Sequence, residues 1–282
     1  MRWKNTLLVT NGCIEGEREM LSDFELIVHN FNDGINMFPV SDVHYGALEC
    51  LSDDWKNFCK MIAADPNNYV VLAGDLINNN VRTCGFVNPF TEKIRPREQK
   101  KHMVEMLKPI RGRILCAVSG NHERRSLKDD DVDLTYDILA KLDIEHLYRE
   151  NMAFMKVCLG ERGWREGTPL VSYTFAVTHG TGGGIYTGAT VNRNERFGNI
   201  IDGCDCLIVG HTHKGTVSKP SKIVIDAKNN TVRMKPYTVI SSVSWLNYGG
   251  YSMQKMLLPA HVAEPQKLIL KKSKEKKIEI VW

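Results

Sequence analysis

The chain has 282 residues, of which 43% are hydrophobic and 25% charged, an ordinary composition for a globular protein. This length is enough for one large domain or two small ones with a sizeable core. The net charge of +4 is too small to indicate a nucleic-acid partner by itself.

Targeting signals and cysteine usage point to the cytoplasm. No run approaches the roughly 18 apolar residues of a membrane-spanning helix, and the amino terminus lacks the apolar core of a signal peptide. The 8 cysteines have no regular spacing, which favours reduced, buried thiols over a disulfide framework. The sequence therefore predicts a cytoplasmic protein without a membrane partner, and a homo-oligomer is compatible with it.

Strands and helices alternate in the first half of the chain. A possible strand at residues 24–28 comes first, and Asn32-Asp33-Gly34 indicates a tight turn after it. Buried strands and helices are then predicted in the order 35–40, a helix capped by Ser52, 69–73, a helix from Pro96, 114–118, and a helix after Asp131. This order favours a parallel sheet that carries its site at the strand carboxyl ends.

The second half is richer in strands. Residues 152–159 and 170–177 indicate consecutive strands, 191–202 a helix, and 206–209 another buried strand. Short β segments follow at 222–226, 232–235, 238–243, 267–270 and 277–281, with Asn229-Asn230 as a hairpin turn. Because no linker or repeat divides the chain, we expect one domain over residues 1–282 with two stacked sheets and helices outside. Its motifs lie in 36–215, and 216–282 is expected to form the β-rich C-terminal part of the second sheet.

Side chains able to bind metal follow five of the apolar runs. They are Asp42, His44, Asp75, Asn121, His179, His211 and His213. Carboxylate, imidazole and carboxamide ligands without cysteine suit borderline divalent ions such as Mn²⁺, Fe²⁺ or Zn²⁺. The set exceeds what one ion needs and fits two ions that share a bridging carboxylate.

Two such ions, about 3.5–4 Å apart, can clamp a phosphoryl group and convert a bridging water to hydroxide. The leaving oxygen then needs a proton. His122 lies beside a candidate ligand and can titrate near neutral pH, which makes it a candidate general acid.

Each candidate ligand also has an ordinary structural interpretation. Asp42 could cap a turn, Asn121 could form a turn, and His179 or His213 could be a hydrogen-bonded loop residue. The metal hypothesis depends on all five motifs following predicted strand ends in one chain.

The series Asp-x-His, Gly-Asp, Gly-Asn-His-Glu, His and Gly-His-x-His resembles the calcineurin-like metallophosphoesterase superfamily. The resemblance runs from about residue 36 to residue 215, with all motifs in the order of the family. It implies a four-layer α/β/β/α sandwich of two mixed sheets with a binuclear metal site.

The resemblance also implies roles for individual residues. One ion would be held by Asp42, His44, Asp75 and His213, and the other by Asp75, Asn121, His179 and His211, with Asp75 bridging. His122 resembles the catalytic histidine of the family. The expected cofactors are two divalent ions, with Mn²⁺ first and Fe, Zn or Ni as alternatives.

The substrate class is less well determined by the motifs. Glu123 after His122 is similar to the Ser/Thr protein phosphatases, but residues 76–80 lack the phosphate-binding arginine of those enzymes. Arg124 and Arg125 could replace that arginine or could be solvated surface charges. Gly46 in Asp42-x-His44-x-Gly46 is similar to the start of DNA-repair exonucleases of the superfamily.

Two further features bear on nucleic acid. The lysine-rich residues 267–277 could contact phosphates, although lysines that protect β edges are the more economical interpretation. Trp245, Tyr248 and Tyr251 could stack on bases, although a place in the core is favoured for them. Gly182-Gly183-Gly184 lacks the lysine of a P-loop and indicates a plain hinge or loop.

We therefore expect a binuclear-metal phosphoester hydrolase, and within that class a phosphodiesterase acting on nucleic acid such as DNA, as a nuclease does, or on nucleotides. The first alternative is a phosphomonoesterase such as a Ser/Thr protein phosphatase. The second, from another class, is a binding module that kept the fold and lost the chemistry; its mark would be missing ligands.

Overall fold

A computed structural model describes residues 22–81, 92–160, 170–259, 264–273 and 276–282. Two mixed β-sheets stack against each other, and helices cover their outer faces. The expected α/β class and the four-layer α/β/β/α arrangement are therefore confirmed.

The strands in chain order are β1 (Leu26–Phe31), β2 (Ile35–Val40), β3 (Asn68–Leu72), β4 (Ile114–Val118), β5 (Tyr148–Arg149), β6 (Met152–Leu159), β7 (Val171–Thr178), β8 (Cys206–Val209), β9 (Thr216–Ser218), β10 (Ser221–Asp226), β11 (Thr231–Pro236), β12 (Thr238–Ser241), β13 (Lys267–Leu270) and β14 (Ile278–Val281). The α-helices are α1 (Ser52–Ala64), α2 (Pro96–Leu107), α3 (Arg124–Asp130), α4 (Leu134–Ala140), α5 (Thr187–Gly198) and α6 (Gly250–Gln254). Short 3₁₀ turns lie at Ser22–Phe24, Lys108–Arg113 and Glu145–Leu147.

The first sheet has the order β14-β13-β2-β3-β4-β5, in which β2, β3, β4 and β5 run parallel. The side chains of β4 are all buried, and those of β2 and β3 nearly all. Continuous apolar runs of this kind are typical of strands covered on both faces. Because the strands are parallel, their carboxyl ends lie at one edge of the sheet.

The second sheet has the order β1-β6-β7-β8-β12-β9. The predicted pair of consecutive strands is the antiparallel pair β6–β7, whose register runs from Met152 opposite Thr178 to Leu159 opposite Val171. β7, β8 and β12 run parallel to one another. The ends of β7 and β8 therefore also lie at one edge.

The predicted helices are present, and two of them differ from the prediction at their ends. α1 begins at Ser52, but the Ser52 hydroxyl donates to the Cys50 carbonyl instead of capping the helix. α5 begins at Thr187 and ends at Gly198, four residues before the predicted helix on each side. Gly188 lies in the first turn of α5, and the low helix propensity of glycine favoured a later predicted start.

One expectation for residues 216–282 is wrong. Among the described strands of this part, β9 and β12 alone belong to the second sheet, whereas β13 and β14 belong to the first. β13 pairs antiparallel with β2, with Leu268 opposite Met37 and Leu270 opposite Ile35. Leu268 and Leu270 are completely buried in this position. The burial of their apolar side chains favours the placement of β13 in the first sheet.

The hairpin β10–β11 pairs only with itself among the described strands. Its turn contains Asn229 and Asn230, as predicted, and Asn230 has the left-handed backbone (φ 52°) that asparagine tolerates. Ile223, opposite Met234, and Ile225, opposite Val232, are all largely exposed. The hairpin therefore projects from the sandwich with an apolar face.

The main core lies between the sheets and under α1, α2 and α4. Trp245 belongs to it and packs against Trp55 and Phe58, as the core interpretation predicted, whereas Tyr248 is 44% exposed. The side chain of Tyr251 lies outside the described part of the chain.

Six cysteines are buried free thiols, which agrees with the absence of a disulfide framework: Cys50, Cys59, Cys116, Cys158, Cys204 and Cys206. Cys13 and Cys84 lie outside the described residues, as do all of residues 1–21. In the described ranges, every helix is too short or too polar to cross a bilayer.

Candidate metal centre

The polar residues predicted from the sequence lie at the edge where strands of both sheets end. The segments that follow β2 and β3 continue side by side. Asp42 N donates to the Gly74 carbonyl (3.0 Å), and His44 N donates to the Asp75 carbonyl (2.9 Å). From the second sheet, His211 N donates to Asp42 Oδ2 (2.8 Å). The two sheets are thus joined at the site by direct hydrogen bonds.

Three groups of side chains at this edge have ligand atoms within 4.8 Å of one another. The first is Asp42, His44 and His213, and the second is His44, Asp75 and His122. The third is Asp75, His179 and His211. Because His44 and Asp75 each occur in two groups, the three form one continuous centre.

Asn121 completes the set. Its Oδ1 lies 2.9 Å from His179 Nε2 and 2.7 Å from His211 Nδ1. The structure therefore brings together every ligand candidate that the sequence indicated. The arrangement leaves Asn121 exposed, so this side of the centre is open to solvent.

The backbone at the centre is unusual. Five candidate ligands have positive φ angles between 47° and 70°: Asp42, His44, Asp75, His211 and His213. Asp, Asn and His enter the left-handed region more readily than most residues, but the conformation still costs energy. The chain turns sharply after each strand, and these turns aim successive side chains inward.

Glycine is required where the strand ends approach each other. A Cβ on Gly74 would lie 2.6 Å from Gly120 N and 2.8 Å from His179 Nδ1. A Cβ on Gly120 would collide with the Asp75 carboxylate. The glycines of the Gly-Asp and Gly-Asn-His-Glu motifs therefore allow Asp75 to reach the centre.

Glu123 holds these loops together, a role that the sequence did not reveal. Its buried carboxylate accepts hydrogen bonds from three backbone groups: Asp75 N (3.0 Å), Ile77 N (3.0 Å) and Gly120 N (3.1 Å). Burial and the neighbouring Asp75 carboxylate raise the pKa of Glu123. The motif contained the residue, but its partners are backbone groups that only the fold brings near.

Electrostatics favour an ionised Asp75. Burial alone would raise the pKa of Asp75, but the charges of His179 and His122 and the hydrogen bond from His179 outweigh it and lower the pKa. Burial alone would lower the pKa of His179, but Asp75 outweighs it and raises the pKa to about 10. His179 Nε2 and Asp75 Oδ2 lie 3.3 Å apart.

The Asp42 side of the centre has buried polar atoms that the protein does not satisfy. Asp42 Oδ1 is buried without a hydrogen-bond partner among the described residues, although His213 Nε2 lies 3.2 Å from it, whereas the equally orphaned His44 Nδ1 belongs to a ring whose Nε2 is the atom that faces Asp42 and Asp75. Buried orphan atoms are rare and require an explanation. A carboxylate and imidazoles with free lone pairs fit a borderline divalent ion, so the donor set suits the predicted metal.

His122 lies at the inner side of the centre. Its Nδ1–H donates to the Asn78 carbonyl (2.6 Å), which leaves Nε2 to accept from Arg125 Nη2 (3.0 Å). Its backbone N donates to Asp75 Oδ1 (2.8 Å). Burial holds the pKa of His122 well below its usual value.

The structure distinguishes the roles of Arg124 and Arg125, which the sequence left open. Arg125 points toward His122, whereas Arg124 Nη2 donates to the carbonyls of Ser119 (3.3 Å) and Glu150 (2.7 Å). Arg124 therefore has a structural role rather than a solvated one.

Two other candidate features are the lysine-rich segment and the glycine loop. In the lysine-rich segment, Lys271 pairs with Glu279 and Lys276 with Asp205, which agrees with lysines on an edge hairpin. Lys274 lies outside the described residues. Gly182-Gly183-Gly184 is a loop, as expected, and its carbonyls accept from Arg193 and Lys214.

The sequence model of the calcineurin-like phosphoesterases matches residues 40–215. The chain belongs to this family. Family membership identifies it as a metal-dependent phosphoester hydrolase, and the candidate centre lies within the matched residues. A search of curated proteins found no match.

Two of the solved structures that resemble the chain illustrate the likeness. One is a conserved protein from Streptococcus pneumoniae TIGR4 described as a predicted phosphoesterase, with 11% identity, a TM-score of 0.38, and coverage of 88% of this chain and 89% of that one. The other is an NAD nucleotidase from Haemophilus influenzae, with 12% identity, a TM-score of 0.40, and coverage of 88% and 49%. This chain thus spans about half the length of the nucleotidase, and neither likeness bears on its substrate.

Proposed function

We propose that the chain is a two-metal phosphodiesterase acting on nucleic acid or nucleotides. The observation that carries the proposal is the continuous centre, in which the group Asp42, His44 and His213 and the group Asp75, His179 and His211 meet at the 3.7 Å contact between His44 Nε2 and Asp75 Oδ2. Asp42, His44, Asp75 and His213 would hold one ion, and Asp75, Asn121, His179 and His211 the other. Asp75 Oδ2 lies 3.7 Å from His44 Nε2 and 3.3 Å from His179 Nε2, which supports a bridging role.

Two bound divalent ions would supply charge to clamp the phosphoryl group and would lower the pKa of a water. The protein's own part is to orient the substrate and to move a proton. The Asn78 carbonyl fixes the His122 ring through Nδ1, so Nε2 is the atom that would carry the proton to the leaving oxygen, once a proton has replaced its hydrogen bond from Arg125 Nη2.

A diester is favoured by the surface beside the centre. Lys214, which follows His213, donates to the carbonyls of Gly184 (2.7 Å) and Ile185 (2.5 Å) and so ties the glycine loop to the metal side. Ile185 is 49% exposed and Tyr186 is 72% exposed on this loop. An apolar and aromatic surface beside the phosphoryl position suits a nucleoside on the second ester oxygen.

A phosphomonoesterase remains the second candidate because Arg125 contacts His122 and its charge would also suit a dianionic monoester. A non-catalytic binding module would be expected to lack ligands, and each predicted position holds a competent side chain. Mn²⁺ as the native ion and a cytoplasmic location remain predictions, as does any homo-oligomer.

The test compares hydrolysis of bis(p-nitrophenyl) phosphate and p-nitrophenyl phosphate by the full chain reconstituted with Mn²⁺. A chelated sample serves as the control. We expect metal-dependent turnover with a clear preference for the diester, followed by activity on single- or double-stranded DNA or on cyclic nucleotides. A monoester preference would contradict the diesterase proposal, and no turnover on either compound would contradict the hydrolase.

A further inference from the structure

Arg125 is held at two points by different parts of the site. Its Nη1 donates to the carbonyls of Asn78 (3.1 Å) and Asn79 (3.4 Å) and to Asn80 Oδ1 (2.7 Å). Its Nη2 donates to His122 Nε2 (3.0 Å). One end of the guanidinium is thus anchored on residues 78–80, and the other faces the candidate general acid.

The anchoring segment is itself fixed. Asn79 has a left-handed backbone (φ 43°), and its N donates to the buried Gln99 side chain (2.9 Å). Asn79 Nδ2 donates to the His122 carbonyl (2.8 Å) and to Ser126 Oγ (3.0 Å). The guanidinium therefore rests on a platform whose own hydrogen bonds hold it in place, which reduces the entropy lost when a ligand binds.

This platform is formed by the residues that replace the arginine-containing motif of the protein phosphatases. Residues 76–80 carry no cation of their own, and their oxygen atoms instead hold Arg125 from the beginning of α3. The charge reaches the site from a different element of the fold.

We propose that Arg125 binds the phosphoryl group of the substrate, with its Nη2 edge directed at a phosphoryl oxygen beside His122. This inference rests on the proposed function. A guanidinium has five N–H donors, and Nη2 has a second N–H beyond the one used on His122. Charge-assisted hydrogen bonds to phosphoryl oxygens are among the strongest that a side chain can make.

The neighbouring arginine offers a matched control. Arg124 lies on the same turn, but its guanidinium bonds to the Ser119 and Glu150 carbonyls. Arg124→Lys keeps a cation there, and a phosphate-binding role assigned to Arg125 predicts that this variant binds phosphate as the unchanged protein does.

The experiment measures inorganic phosphate binding by calorimetry to the Mn²⁺-reconstituted full chain, with metal content measured in the same samples. For Arg125→Ala we expect unchanged metal content and phosphate affinity weakened about 10- to 100-fold, the usual range for a lost hydrogen bond to a charged group. Added guanidinium ion should restore part of the phosphate affinity, which a merely structural role would not produce. Arg125→Lys should be intermediate, because an ammonium lacks the second nitrogen needed to span platform and phosphate.

Phosphate affinity within twofold of the unchanged protein in both Arg125 variants would overturn the assignment. Loss of metal in both variants, without guanidinium rescue, would also overturn it, because Arg125 would then only support the loop. If the unchanged protein hydrolyses neither ester, the proposed function fails, yet the phosphate-binding comparison still decides the role of Arg125.

Discussion

The candidate centre has an inner half and an outer half that differ in burial. The inner half is Asp42, His44, Asp75 and His179, whose exposed fractions are 3% or less. The outer half is Asn121, His211 and His213; Asn121 is exposed, and the His213 side chain is 33% exposed. The same kinds of ligand therefore lie in two different environments.

The supports of the two halves differ as well. Glu123 accepts three backbone hydrogen bonds beneath Asp75, and its carboxylate is buried. In the outer half, Thr212 lies between the two histidines and makes a single side-chain hydrogen bond to Ser241 Oγ (2.9 Å). From this difference we expect the inner half to hold bound metal rigidly and the outer half to adapt to a substrate.

The largest effect is expected from Asp75→Asn. Asparagine keeps the shape but loses the charge that would bridge two cations, so both metal content and turnover should fall, turnover by about 10³-fold. Metal analysis of the purified variant measures the first and ester hydrolysis the second. Asp143→Asn, at an exposed ion pair with Arg111, is the control and should change neither. Retained binuclear occupancy in Asp75→Asn would refute the bridging role.

His122→Asn should separate metal binding from proton transfer. His122 is proposed as an acid rather than a ligand, so the variant should keep its metal and lose turnover by about 10²- to 10⁴-fold. The same metal analysis and hydrolysis assay apply. Full activity would show that the leaving oxygen receives its proton from elsewhere, and lost metal would place His122 among the ligands.

The sequence indicated the candidate ligands because each follows a predicted strand. The carboxyl ends of neighbouring parallel strands lie close together, so the meeting of these residues can be inferred without the details of the loops. It could not reveal the role of Glu123, because a carboxylate that binds backbone N–H groups leaves no pattern in residue types. The directions of Arg124 and Arg125 were also hidden, since they depend on carbonyls of residues 78–80 and on Glu150. The placement of β13 beside β2 depends on pairing between distant segments, which local patterns do not specify.

Glu123→Gln tests whether the inner half is rigidly supported. The carboxamide would turn an NH₂ group toward backbone donors, leaving one or two buried N–H groups unpaired. We expect the free energy of unfolding to fall by about 1–3 kcal/mol, measured by urea denaturation. Glu98→Gln, at an exposed pair with Lys101, is the matched control and should change stability by less than about 0.5 kcal/mol. Equal stability of the two variants would mean that Glu123 is not the support that its contacts indicate.

The smallest effect is expected from Thr212→Val, which removes the hydroxyl that contacts Ser241 in the outer half. Ser241 is fully buried, so its hydroxyl would lose a partner, and the free energy of unfolding should fall by about 1 kcal/mol. The double variant Thr212→Val with Ser241→Ala should recover part of that loss, because neither polar partner then remains unpaired. Urea denaturation measures both, and metal content should stay unchanged. Thr212→Val could instead lose metal or lower the free energy of unfolding as much as Glu123→Gln does. Either result would show that the outer half is as rigid as the inner half. The adaptable surface would then have to lie in the glycine loop beside Lys214.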